Sequence, residues 1–413
     1  MTLMVVGFSS AQDEEPIVIG AIATLEGPFA GPGEDGLRGV ELAISQFGGE
    51  INGRPIELIR GSTDANPDVA VAEARRLVEQ QGVDILIGPL SGDEGIAIRD
   101  YAKTQPDVTF VNGASAAADT TLRDSAENFF RFSTEGTQWM AGLGNYAVEE
   151  KGYGRVATVA EDYSFPYSQV GGFVLGFCES GGEIVDQYWT PLGASDYSSV
   201  VTQLVSQDVD AIYVALGGSD AVNFLRQYQQ FGGTAPLIAG SITVDSTVLE
   251  TEGAILDAVV GTITSSPISP NNPSEAWEAF VTSYSEMFPD GLESPSLFAH
   301  AYFVNTTAVM LGLEAVGGDL SDGQQAFRTA LAELEFESPT GTVTLDANRQ
   351  AVASIFINEV VLNDEDELVT ELVSIAENVN QTLGFDEASF LAMGAFDREN
   401  PTCESVAQMM GEE

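Results

Sequence analysis

Short apolar runs rich in β-branched residues alternate with amphipathic helical stretches, and this alternation runs through the chain twice. The first series is IVIGAIA (17–23), IELIR (56–60), DILIG (84–88) and VTFVN (108–112). The second is RVATVA (155–160), EIVDQYW (183–189), DAIYVAL (210–216), PLIAG (236–240) and VVGTITS (259–265). Between the strands of the first series, NPDVAVAEARRLVEQ shows the helical pattern: Asn66 can cap, Pro67 suits the first turn, and Ala70, Ala74, Leu77 and Val78 share a face. Strand alternating with helix dictates parallel sheets covered on both faces. Two such series predict an α/β protein of two similar lobes with a cleft between them, and a length of 413 residues suits two domains.

The remainder reads as additions to these lobes. Residues 274–335 are mainly helical, and GTVTLDANRQAVASIFINEVV reads as two strands. The run DEDE at 364–367 reads as a solvated turn, and residues 380–413 as an acidic tail, partly helical at best.

Charge narrows the function classes. Sixty-three acids against fifteen bases leave a formal charge of −48. Such a surface repels DNA, RNA and anionic lipid, which excludes nucleic-acid and membrane-surface roles. Its self-repulsion is screened in concentrated salt, so a saline environment is expected. MTLMVVGFSSAQDEEP places Ser9 and Ala11 at the −3 and −1 positions of a signal-peptidase site; residues 1–11 then read as a remnant signal peptide. No stretch reaches the roughly eighteen apolar residues of a membrane span. The expectation is an exported, soluble, periplasmic protein. In an oxidising compartment Cys178 and Cys403 either pair, pinning the tail to the body, or remain two separate thiols.

Catalytic signatures are missing. GPGEDG (31–36) has the letters of a dinucleotide loop, but Pro32, Glu34 and Asp35 and its distance from the preceding strand speak for a Gly/Pro turn before a helix. There is no phosphate-loop lysine motif and no nucleophile elbow. His300 is the only histidine, so zinc and metal clusters built on several histidines are excluded by counting, and a core or pocket-lining imidazole is expected there.

What remains is a set of strand-end loops rich in small and hydroxyl residues. In open α/β sheets, ligands bind beyond the carboxyl ends of the strands, beside helix N-termini. These loops are TLEGPFAGPG (24–33), PLSGDEG (89–95), NGASAAAD (112–119), EDYSFPYSQ (161–169), LGGSDA (216–221, with Gly218) and GSITVD (240–245). Ser91 and Ser115 can donate hydroxyls, and the amides near Gly92 and Ser115 can hold a carboxylate. Phe29, Tyr163, Phe165, Tyr167 and Phe298 can supply apolar walls.

The same loops carry a family likeness. IVIGAIATLEGPFAGPGEDGLRGVELAISQFGGEINGRPIELI, DILIGPLSGDEG and VNGASAAADTT resemble, in order and spacing, the type I periplasmic binding proteins over roughly residues 16–360. Within them they resemble the branched-chain amino-acid (Leu/Ile/Val) binding group of ABC importers. The resemblance implies two Rossmann-like lobes with mainly parallel sheets, joined by three hinge crossovers and closing on a ligand. It implies lobe I over 12–134 and 266–341 and lobe II over 135–265 and 342–379, with the tail outside both. It also implies a non-enzymatic monomer without cofactor or metal, whose partners are a small-molecule ligand and the importer's membrane permease.

Carried over by position, the family's carboxylate-binding serine falls at Ser91–Gly92, with Gly92 where the serine is expected. The family's G-A-[ST] segment is Gly113–Ala114–Ser115, and its stacking aromatic corresponds to Phe165. The acid that grips an amino acid's ammonium should lie near Ile242, with Asp245 three residues on. EDYSFPYSQVGGF, YWTPLGASDYSS and LGGSDAVNFLRQYQQFG look closest to members that take aromatic or other carboxylic acids. An ammonium with no carboxylate partner is costly in a closed cleft, so such an acid is expected ahead of a branched-chain amino acid. Two other classes stand beside this reading: an exported sensor domain signalling to a membrane partner, and an exported hydrolase with His300 in reach of a nucleophile.

Overall fold

A computed structural model of the chain describes residues 15–250, 259–363 and 368–411. The signal-peptide reading of residues 1–11 and the solvated-turn reading of 364–367 fall outside them. The first strand–helix series becomes β1 (Ile17–Thr24), α1 (Ala30–Gln46), β2 (Glu50–Ile51), β3 (Arg54–Thr63), α2 (Pro67–Arg75), β4 (Ile85–Ile87), α3 (Gly92–Ala102), β5 (Thr109–Val111) and β6 (Phe129–Phe130). The second becomes α4 (Leu143–Glu149), β7 (Arg155–Glu161), α5 (Ser164–Glu179), β8 (Glu183–Thr190), α6 (Ser198–Val205), β9 (Ala211–Ala215), α7 (Gly218–Gln230), β10 (Leu237–Ala239), α8 (Ser246–Leu249) and β11 (Ile263–Ser266). Then follow α9 (Glu275–Met287), α10 (Leu297–Ala315), α11 (Gln325–Ala332), β12 (Phe336–Ser338), β13 (Gly341–Leu345), β14 (Ala351–Leu362), β15 (Leu368–Val379), α12 (Glu387–Ala392) and α13 (Cys403–Met410).

Two sheets result. The first has the order β2-β3-β1-β4-β5-β6 and is parallel except for the β2–β3 hairpin. The second has the order β12-β13-β14-β11-β10-β9-β7-β8, with β15 paired to β14. It is parallel from β11 to β8 and antiparallel where the late strands join. Central strands such as β4, β5 and β9 are buried at every position, as sheets covered on both faces require.

The helical block returns to the first sheet. α10 is apolar around most of its circumference and buried accordingly. Tyr302 donates to the Ile22 carbonyl at 2.7 Å and Asn305 to that of Gly113 at 2.9 Å. Gly39 lets α1 lie against it, since a Cβ there would stand 2.1 Å from the Ala299 carbonyl oxygen. The GPGEDG stretch lies within the first turns of α1 itself, not in a turn ahead of it.

The first crossover is hydrogen-bonded to the β13–β14 turn of the second sheet. Arg131 N–H donates to the Arg349 carbonyl at 3.0 Å, and Ala351 N–H donates back to the Arg131 carbonyl at 2.8 Å. The Arg131 side chain is wholly buried and donates to the Ala117 carbonyl at 2.8 Å. Gln350 donates to the Ser133 carbonyl and to the Gln138 side chain, each at 2.9 Å.

The acidic tail does not hang free. Cys178 and Cys403 are disulfide-bonded with Cα atoms 5.2 Å apart, which decides between the two alternatives left by the sequence. Phe390 of α12 and Val406 of α13 are buried, so the segment is docked on the second lobe as part of the fold.

Candidate functional site

Between the lobes lies a tight cavity of about 10 Å³, room for about one water molecule, so the closed lobes nearly fill the cleft. Its lobe I wall is Phe29, Leu90, Ser91, Gly92, Ala114, Ala116 and Phe298, and facing them are Trp139, Tyr163, Phe165 and Ile242. No acidic or basic side chain among the described residues lines it.

Local chemistry shapes the first wall. Ser91 opens α3, and its N–H donates to the Glu94 carboxylate at 3.2 Å, which Thr24 also approaches as a donor at 3.2 Å. Burial pushes the Glu94 carboxyl above its ordinary value. Ser91 Oγ is buried and faces the first turn of α3 in a capping box with Glu94, its O–H not engaged by any described acceptor. Together with the first-turn amides of α3, which no helix satisfies internally, it gives this end of the cavity donor character.

The opposite wall hangs on the start of α5. Phe165 meets Trp139 edge-to-face at 5.5 Å between ring centroids. The lobes touch here: Ser164 N–H donates to Asp93 Oδ1 at 3.2 Å, and a Cβ on Gly92 would come within 2.9 Å of the Phe165 nitrogen. Hence a glycine stands where the family resemblance leads one to expect a serine. Gly218, at φ +50, closes another contact, since a Cβ there would lie 2.2 Å from the Pro28 carbonyl oxygen.

Of the residues singled out from sequence, Phe29, Ser91, Gly92, Ala114, Tyr163, Phe165, Ile242 and Phe298 come together at the cavity. Ser115, Gly218 and Asp245 do not line it. The Ser115 N–H is consumed by the Pro89 carbonyl at 3.1 Å, and its hydroxyl lies against α3, where a Cβ on Gly95 would be 1.8 Å away. Asp245 caps α8 through the Thr247 N–H at 3.1 Å and accepts the Leu297 N–H across the cleft at 3.0 Å. Burial pushes its carboxyl up to about 6, against the opposing pull of those N–H groups. It ties lobe to lobe and is not a free ammonium partner. Tyr167 also turns away, its hydroxyl on Asp162 and its ring 4.9 Å from that of Trp189.

Leu90, Ala116 and Trp139 line the cavity without having been singled out. The first two neighbour residues that were; Trp139 had no motif to mark it. Behind the second wall, Glu161 is fully buried and its Oε1 accepts the Gly217 N–H at 3.0 Å, while Oε2 lacks a partner among the described residues. Burial pushes its carboxyl well above the ordinary value.

His300 does not serve chemistry at this cavity. It is packed among Trp277, Phe280 and Thr340 in the β12–β13 turn, whose Oγ1 is 3.1 Å from Nε2. Burial lowers it to about 3, and Nδ1 has no partner among the described residues, so no acid orients the ring. No group of three or more His, Cys, Asp or Glu among the described residues could hold a metal ion. No helix among them is long and apolar enough to cross a membrane.

Comparison with known proteins agrees with this architecture. Residues 16–366 match the family model described as "Periplasmic binding protein". Leu/Ile/Val-binding protein homolog 6 of Brucella melitensis is 24% identical over 366 residues, covering 86% of this chain and 90% of that one. An ABC transporter substrate-binding protein from Sphaerobacter thermophilus superposes with a TM-score of 0.80 at 28% identity, over 89% of this chain and 99% of that one. A solute-binding protein of an ABC transporter from Rhodopseudomonas palustris BisB5, in complex with 3,4-dihydroxybenzoic acid, gives 0.80 at 25%, over 89% and 98%. These relatives are solute-binding proteins rather than enzymes. With two parallel-dominated lobes closing on a cavity and a family match over most of its length, the chain belongs to the periplasmic binding protein family.

Proposed function

We propose that this protein captures a small carboxylic acid with an apolar, preferably aromatic, body by closure of its lobes and hands it to the permease of an ABC importer. The reading is carried by the cavity lining: aromatic and aliphatic walls, one end made of Ser91 and the start of α3, and no acidic or basic side chain among the described residues. A carboxylate is favoured by the helix N-terminus and by the Ser91 O–H, which can still donate. An ammonium would enter without a counter-charge. The dihydroxybenzoate complex of the Rhodopseudomonas relative supports an aromatic acid.

One observation favours a branched-chain amino acid instead, the kind of ligand named for the Brucella relative. Glu161 has an unpartnered oxygen, and Gly217, which it holds, touches Ile242 and Phe29 of the wall. That ligand would have to draw Glu161 into its ionised form against its burial.

The lobes in this reading are 12–134 with 266–341 and 135–265 with 342–379. The pairing of β12 with β13 speaks for ending lobe I's second piece before residue 336. A periplasmic monomer is part of the proposal, export resting on residues 1–11.

Thermal unfolding in high salt, scanned against benzoate, 4-hydroxybenzoate, leucine and isoleucine, tests it. A ligand at a hundred times its dissociation constant adds about 2.7 kcal/mol. Midpoints raised by the benzoates alone support the aromatic acid; midpoints raised by leucine or isoleucine alone transfer the site to an amino acid.

A further inference from the structure

The C-terminal segment touches both lobes. On lobe II it is fixed by the Cys178–Cys403 disulfide and by Phe396, whose ring covers α5 so closely that a Cβ on Gly171 would lie 2.5 Å from it. From this anchorage Arg398 reaches Asp162, with Nε 2.7 Å from Oδ1 and a second contact to Oδ2. Asp162 directly precedes Tyr163 and Phe165, the lobe II wall of the cavity. Burial acts to raise the Asp162 carboxyl, but Arg398 and the Tyr167 hydroxyl hold it below its ordinary value. On the other lobe, Arg123 donates to the Gly394 carbonyl and to the Asp119 carboxylate at 2.5 Å. Arg123 lies between β5 and β6 and moves with the first sheet.

We propose that residues 381–403 form a strap that favours the closed arrangement of the lobes, with Arg123 as its cross-lobe catch and Arg398 positioning the wall loop. Gln381 also touches lobe I, donating to the Ala118 carbonyl at 3.2 Å and accepting from Thr121 Oγ1 at 3.4 Å, beside the Arg131 side chain at the first crossover. The Arg123–Gly394 contact must break, because Gly394 stays with α5 through the disulfide while Arg123 leaves with the first sheet. The inference rests on the cleft being the ligand site, yet its test needs no ligand.

Among the amides that donate across the cleft, Ser164 to Asp93 and Leu297 to Asp245 report on it most directly. Each opens a helix, so neither gains an acceptor within its own helix when the lobes part. Hydrogen exchange at both is measured in the full chain and in Arg123→Ala. A charged donor on a carbonyl, discounted for the partial exposure of Arg123, gives an expected acceleration of roughly three- to tenfold. The Ile19 and Ile212 amides, deep in each sheet, should keep their rates, and Arg123→Lys should fall between. Unchanged exchange at Ser164 and Leu297 overturns the proposal. Equal acceleration at all four amides also overturns it, because Arg123 then only stabilises the fold. A wrong ligand class would appear in wild-type titrations with benzoate and would leave these rates as they are, so the two readings fail separately.

Discussion

Gly92→Ala separates closure from folding. A Cβ at residue 92 would lie 2.7 Å from Ser164 Oγ and 2.9 Å from both the Cβ and the backbone nitrogen of Phe165. All three atoms belong to the opposite lobe. The serine hydroxyl can rotate away, but the first turn of α5 yields only if the helix withdraws. Overpacking of this kind costs about 1–3 kcal/mol, which is roughly 5- to 150-fold in Kd. Within its own lobe the change is harmless, because residue 92 begins α3 and alanine is the better helix former by up to about 1 kcal/mol. The two observables therefore part company. The ligand-free melting midpoint should hold or rise, while calorimetric titration with whichever acid stabilises the wild type should show the weakened Kd. Small-angle scattering should report a more open average shape. A Kd within twofold of wild type, with unchanged scattering, would refute the close approach at Gly92.

Three further outcomes are expected. Asp245 lies near 3.9 when exposed and is pushed up to about 6 in the closed lobes. The closed state binds the extra proton, so closure is strongest below about 4 and weakens as pH rises through 6; affinity titrations between pH 5 and 7 should show this slope, and Asp245→Asn should flatten it. With a charge of −48, the melting midpoint should rise between 0.1 and 1 M NaCl, as the screening length falls from about 10 to 3 Å; a flat salt dependence would remove the case for a saline setting. The disulfide spans 225 residues of sequence, for which chain entropy gives about 5 kcal/mol as an upper value; Cys178→Ser with Cys403→Ser should melt lower than the oxidised protein, and an identical midpoint would show that the docked tail holds itself.

Strands buried on both faces were legible because their apolar runs are continuous. β15 was not, since Glu371, Ser374 and Glu377 stand exposed on its open side and break the pattern. Loops were legible as the place of the site, but the direction of each side chain was not. Ser115 looked like a donor until the fold spent its amide on Pro89. Asp245 looked like an ammonium partner, yet its acceptor role is set by Leu297, 52 residues away. Trp139 sits in a short 3-10 turn (Gln138–Met140) just after the first crossover, where neither periodicity nor motif announces a pocket wall.

The hydrogen bonding of the first crossover to the β13–β14 turn has a mechanical meaning. Arg131 and its partners Arg349 and Ala351 tie that crossover to the second sheet in a short ladder, so opening turns about one fixed pin at the edge of the second lobe. One angle then describes the whole excursion. A fluorophore pair, one on each lobe, would convert that angle into an optical signal for occupancy. The pin holds the Ala117 carbonyl and Gln138 beside the wall residues Ala116 and Trp139, so the wall could be recarved at Phe29, Phe165 or Ile242 while the calibration of the signal carried over.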